Sequence, residues 1–148
     1  MLIGEYRAKL GQKNRTALPK VLKQGLGEEL IITRGYEGCL IMVDKAKWNK
    51  LIKLIEVRPL TKLDVRNTKR FLVGSASEVK LDEQARFVIP EALIKYAHLE
   101  NEIIFVAILD WVELWDAETW EKKIDIIAKE SADIAERLSE LTKLTEIK

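Results

Sequence analysis

Leu10-Gly11-Gln12-Lys13-Asn14-Arg15-Thr16-Ala17-Leu18-Pro19 and Leu81-Asp82-Glu83-Gln84-Ala85-Arg86-Phe87-Val88-Ile89-Pro90 are two versions of one segment. Leucine, arginine and proline recur in both at a displacement of 71. Farther on, Leu26-Gly27-Glu28-Glu29-Leu30-Ile31 matches Leu99-Glu100-Asn101-Glu102-Ile103-Ile104 at a displacement of 73. Leu40 to Trp48 matches Val112 to Trp120 at a displacement of 72. Ordered, collinear copies mark an internal duplication, and the small changes of offset are differences in loop length.

Each copy predicts the same elements. A strand enters a polar turn, Gln12-Lys13-Asn14 or Glu83-Gln84-Ala85, and a short β-rich run follows, Thr16-Ala17-Leu18 or Phe87-Val88-Ile89. Proline ends that run, because it cannot donate to a ladder and suits the first turn of a helix. The helix is short, Lys20 to Gln24 or Glu91 to Tyr96. Two strands come next: Glu29 to Thr33 and Cys39 to Val43 in the first copy, Glu102 to Ala107 and Trp111 to Trp115 in the second. Gly35 and Gly38 mark one hairpin turn and Asp110 the other. Asp44 and Asp116 stand where a carboxylate caps the following helix. In the first copy that helix places Trp48, Leu51, Ile52 and Ile55 on one apolar face. Arg58-Pro59 stops it, and Thr61 is expected to cap a connector helix over 62–70. The expected organisation is a first repeat over 4–50, connector helices over 51–74, a second repeat over 75–120 and a helical extension over 121–148.

From Ala117 onward the sequence reads as one long helix. Ile127, Ile134 and Leu141 lie seven apart, and Ile124 and Leu138 fall on an interleaved set with Ser131 and Thr145. That seam predicts helix–helix packing. Before Lys129, a helix lying on its own core is an equal alternative.

The 148 residues are 47% hydrophobic and 33% charged, a soluble globular composition of one domain or two small halves. No apolar run approaches the ~18 residues of a membrane span, and Met1-Leu2-Ile3-Gly4-Glu5 is not a secretory signal. A single cysteine, Cys39, excludes an internal disulfide and multi-cysteine zinc sites. One histidine, His98, leaves no nucleophile–base pair for a hydrolase or transferase. The expectation is a cytoplasmic protein without cofactor, metal or small-molecule substrate.

The net charge of +1 conceals a split. Residues 1–74 hold 16 Lys and Arg against 7 Asp and Glu, a net of +9; residues 75–148 hold 9 against 17, a net of −8. Such asymmetry fits a polyanion-facing half, or head-to-tail association of basic half with acidic half. An unevenly charged solvated surface is the plain alternative. Arg7, Lys9, Lys13, Arg15, Lys20 and Lys23 are six cations in the first 23 residues, against one anion, Glu5. On a strand Arg7 and Lys9 project to one face. Lysines neutralise phosphate without reading sequence, whereas the planar fork of an arginine such as Arg15 matches the O6/N7 edge of guanine. Arg86 has Asp82 available as a partner and sits in an acidic turn.

The paired motifs resemble the MraZ family, built of two SpoVT/AbrB-like half-modules. In the family each copy carries an aspartate, two variable residues, usually glycine, then arginine, and a proline four further on. Asp82, Arg86 and Pro90 follow the pattern; Gly11, Asn14 and Ala85 depart from it. Gly4-Glu5-Tyr6, Ile32 to Leu40, Pro59-Leu60-Thr61 and Glu113-Leu114-Trp115-Asp116 also fit, and the resemblance covers about residues 1–125. It implies an α+β fold, a tandem AbrB-type swapped-hairpin β-barrel with pseudo-twofold symmetry and flanking helices. It also implies a nucleoid-associated transcription factor on double-stranded DNA, forming homo-oligomeric rings, commonly octamers. Such a factor would act at repeated short boxes in the promoter of the division and cell-wall gene cluster. Arg15, Lys13, Arg7, Lys9, Lys20, Arg86 and Asp82 are the expected DNA-binding set. Leu60, Leu63 and Val65 of the connector and the Trp120 helix are the expected apolar ring contacts. The competing expectation is an assembly or protein-interaction module with weakened DNA binding.

Overall fold

The computed structural model describes residues 1–146, with side chains to residue 141. The side chain of Thr145 in the C-terminal seam and the last two residues of the expected extension therefore lie outside what is described.

Strand β1 (Leu2–Lys9) leads through a tight turn at Gln12–Asn14 into β2 (Arg15–Ala17) and helix α1 (Lys20–Leu26). A hairpin follows, β3 (Leu30–Arg34) and β4 (Leu40–Asp44), then α2 (Lys45–Glu56). Helix α3 (Leu63–Thr68) and a π-helical turn at Lys69–Val73 form the connector. The second copy repeats the order: β5 (Ser77–Val79), β6 (Arg86–Val88), α4 (Glu91–Tyr96), β7 (Glu102–Leu109) and β8 (Val112–Asp116). Helix α5 (Ala117–Glu146) ends the described chain.

The copies exchange their first strands. The larger sheet runs β1-β7-β8-β4-β3-β5, so β1 of the first copy pairs with β7 of the second, and β5 of the second pairs with β3 of the first. The registers agree under this exchange: Ala8 faces Ile103, and its equivalent Val79 faces Leu30. β2 and β6 form a separate antiparallel ribbon in which Arg15 faces Val88, Thr16 faces Phe87 and Ala17 faces Arg86. The pseudo-twofold axis passes between Thr16 and Phe87, and between Ile41 and Glu113 in the central β4–β8 pair. The α+β class is the expected one, and the exchange of strands is in keeping with the swapped-hairpin fold that the family resemblance implies. The expected barrel takes the form of an open six-stranded sheet and a separate two-stranded ribbon, because β1 and β5 end the ladder as edges.

The core follows from strand alternation. Leu30 and Ile32 of β3, Leu40 and Met42 of β4, and Ile103 and Phe105 of β7 point inward to meet Phe87 of the ribbon, Leu22 of α1 and Leu93 of α4. Helix α2 packs against β3 and β4. Its N-terminus is capped as predicted, with the Lys47 N–H donating to Asp44 Oδ1 at 2.8 Å. The connector differs: Lys62, not Thr61, precedes α3, and no side chain caps it. Thr33, buried at the end of β3, donates from Oγ1 to the Leu72 carbonyl and ties the connector to the sheet.

The contacts divide the chain into Met1–Ala117 and Glu118–Lys148. Within the second unit, ion pairs one turn apart join Lys122 to Glu118 and Lys129 to Asp125, and Leu138 and Leu141 are exposed. No helix among the described residues is long and apolar enough to cross a membrane.

Candidate nucleic-acid interface

The two repeated turns brace the two ends of the β2–β6 ribbon. In the first, Lys13 and Asn14 both take left-handed backbone conformations, with φ of 58° and 59°. In the second, Ala85 does so with φ of 59°. Asparagine enters this region with little penalty, but alanine is strained there. Asp82 offsets that strain. Its Oδ1 accepts from the backbone N–H groups of Gln84 and Arg86, both at 2.9 Å, and its Oδ2 from Arg86 Nε at 2.9 Å. Gly11 offers no carboxylate at the equivalent position. Carbonyls of the left-handed residues complete the brace across the pseudo-twofold: Leu18 donates to Ala85 and Ile89 to Asn14.

Alternation then sorts the ribbon's side chains. Thr16 and Phe87 are buried beneath it, and Thr16 Oγ1 donates to the Lys9 carbonyl at 2.9 Å. Arg15, Ala17, Arg86 and Val88 form its exposed face. Lys9, Gly11, Gln12, Arg15, Ala17 and Arg86 line one open depression of about 450 Å³. Both motif arginines thus share a surface although they are 71 residues apart.

Their environments differ. The Arg15 guanidinium has no hydrogen-bond or ion-pair partner among the described residues, whereas Arg86 is held by Asp82. The backbone N–H of Arg86 lowers the Asp82 carboxyl most; desolvation opposes it, and the Arg86 side chain and the Gln84 N–H add to the lowering, so the group titrates below its ordinary value. A folded-state value below the unfolded one stabilises the turn fully above the ordinary carboxylate range, and that contribution is lost as pH falls through the lowered value. An NMR titration is therefore expected to show the Arg86 Nε signal shifting in step with the Asp82 carboxyl, with a midpoint below that of an ordinary aspartate.

The other expected residues are dispersed. Lys13 stands at the tip of the first turn. Arg7 lies farther along β1, where Nη1 is 3.4 Å from Glu102 Oε2 of the neighbouring strand. Lys20 lines a second depression of about 550 Å³, with Lys23, Gln24, Glu28, Glu83 and Gln84. Gln12, Ala17 and Val88 belong to the surface yet escaped the sequence reading; alternation about Thr16 and Phe87 was the signal that could have found the last two.

The family described as "MraZ protein, putative antitoxin-like" matches residues 1–71 and again 72–141. Proteins named Transcriptional regulator MraZ are similar over nearly the whole chain. That of Clostridium beijerinckii is 39% identical over 145 residues, covering 95% of this chain and 99% of its own. That of Clostridium acetobutylicum is 37% identical with the same coverage. That of Herpetosiphon aurantiacus is 34% identical over 139 residues, covering 94% and 97%.

Proposed function

The chain belongs to the MraZ family, and from that premise we propose that it is a cytoplasmic, nucleoid-associated, sequence-specific DNA-binding regulator of transcription. The observation that carries this reading is the exposed face of the β2–β6 ribbon, on which Arg15 and Arg86 stand together. The DNA major groove admits a two-stranded ribbon, and arginine can bond both acceptors of a guanine edge. In this reading Arg15 reads a base, Arg86 is oriented by Asp82, and Lys9, Lys13, Lys20 and Arg7 neutralise phosphates and fix the register.

One chain supplies few phosphate contacts, and its net charge of +1 gives little long-range attraction. Several chains in a ring, an octamer as the family resemblance implies, would raise the effective concentration of every contact after the first. Repeated short boxes in the promoter of the division and cell-wall gene cluster are the matching target. Head-to-tail contact suits the split of +9 and −8, because equal faces would repel and unlike ones attract. Leu60 and Leu63 of the connector, both more than half exposed, are open to such a contact.

Gel-shift titration against the chain's own upstream region, at several salt concentrations, tests the reading. Fragments with correctly spaced repeats are expected to bind much more tightly than a fragment with one box. Affinity should fall steeply as salt rises. Equal affinity for the two fragments would contradict multi-subunit binding. Gly11 and the tethered Arg86 favour a second reading, an assembly module with weakened DNA binding, and binding indifferent to sequence would support it.

A further inference from the structure

The two hairpin turns, β3–β4 and β7–β8, lie at opposite ends of the sheet, because β4 and β8 run antiparallel with Leu40 opposite Leu114 and Met42 opposite Val112. Their surfaces are complementary. At the β3–β4 end the Arg34 guanidinium lies against two rings, 5.6 Å from the centroid of Phe71 and 5.6 Å from that of Tyr96. Tyr36, 63% exposed, stacks on Phe71 with centroids 5.4 Å apart. Tyr96 is fixed by its hydroxyl, which donates to the Gly35 carbonyl at 2.7 Å. Arg34 Nε is buried without a hydrogen-bond partner, and no carboxylate among the described residues pairs with this guanidinium. The Nη edge is the part that an acceptor from outside can reach. A cation held between rings is partly desolvated, so a charge-assisted bond to it is stronger than one formed in open water.

The β7–β8 end is of the opposite kind. Ile108, Leu109 and Trp111 are exposed there beside Ile3, which pairs with Ile108. Leu109 takes a φ of 74°, a conformation that costs a leucine free energy and persists only where the surroundings demand it. Asp110 sits at the tip. Its backbone is engaged, with its N–H donating to the Ile108 carbonyl and its carbonyl accepting from Lys47 Nζ. Its carboxylate is exposed and has no partner among the described residues.

We infer that the Leu109-Asp110-Trp111 tip of one copy docks on the Arg34–Tyr36–Phe71 cluster of the next, with Asp110 meeting the Arg34 guanidinium and the apolar side chains covering the Tyr36 ring. The occupant is a second copy of this chain, for three reasons. The two tips are complementary in charge and in apolar surface. They belong to the acidic and basic halves respectively. They also face opposite ways, so one contact leaves the Arg34 cluster free on one partner and the Asp110 tip free on the other, and the chain of contacts extends. This contact rests on the head-to-tail reading above and names its residues.

Sedimentation velocity of the full-length protein at micromolar concentration tests it, with circular dichroism as the check on folding. Asp110→Lys and Arg34→Glu are each expected to shift the wild-type oligomer to the mass of a single chain. Their equimolar mixture is expected to return to the wild-type mass, because every contact then joins either Asp110 to Arg34 or the introduced lysine to the introduced glutamate. Asp110→Lys lies on an exposed turn, so it decides the matter alone if Arg34→Glu fails to fold. Wild-type mass for Asp110→Lys would overturn the contact and leave the ring intact, as would a folded mixture that stays at single-chain mass. A wild-type protein that is itself a single chain would overturn the head-to-tail reading as well.

Discussion

Replacing Arg15 with alanine is expected to lower specific DNA affinity far more than replacing Arg86. Loss of a bidentate base contact is worth about 1–3 kcal/mol, roughly 5- to 150-fold in affinity. The difference between the arginines comes from their turns. Arg15 stands exposed with Gly11 where a carboxylate would sit, so its whole fork is available. Arg86 spends Nε on Asp82, and the neighbouring Glu83 repels phosphate. Gel shifts with the same repeated-box fragment compare the two variants. Equal losses would show that the first copy does not lead, and no loss in either would exclude reading through the ribbon. Arg15→Lys, which keeps the charge but not the fork, is expected to retain salt-dependent binding while losing discrimination between boxes.

Phe87→Ala is expected to be among the most damaging changes to stability. Phe87 is 2% exposed and lies beside the pseudo-twofold axis under the ribbon, where its equivalent across the axis is the smaller Thr16. One ring thus fills the space that both halves share. Removing a buried phenylalanine side chain costs about 3–5 kcal/mol, against a total stability of about 5–15 kcal/mol for an ordinary domain. Urea unfolding should show a markedly lower midpoint with an unchanged slope. A midpoint within error of the wild type would mean that the ribbon is not anchored through this ring.

Much of this architecture was legible. The recurrence of leucine, arginine and proline reflects one turn built twice, since each site needs a strand end, a left-handed backbone and a helix start in the same order. The asymmetry between Gly11 and Asp82 was equally plain, because one carboxylate decides whether the arginine beside it is tethered. The open ladder was not legible. The apolar faces of β1 and β5 fit an edge as well as a closed barrel, and alternation does not distinguish the two. The connector's start slipped by one residue, since neither Thr61 nor Lys62 makes a side-chain cap. Strand β7 runs two residues past the expected Ala107, carried by its pairing with β1 through Leu2 and Leu109. The Arg34 cluster was invisible, because Phe71 and Tyr96 come from distant segments and only the fold brings them to the end of β3.

The exchange of first strands also sets the order in which the protein can be completed. Strand β1 leaves the ribosome about ninety residues before its partner β7, which begins only at Glu102. A nascent chain therefore carries β1 as an unpaired strand until β7 has emerged. Its β3–β4 hairpin, by contrast, closes within a few residues. Contacts this distant along the chain raise the contact order and slow the search for the native pairing. Until β7 arrives, the open edge is the segment most exposed to pairing with the wrong strand, including β3 of its own copy or the corresponding strand of a neighbouring chain on the same message.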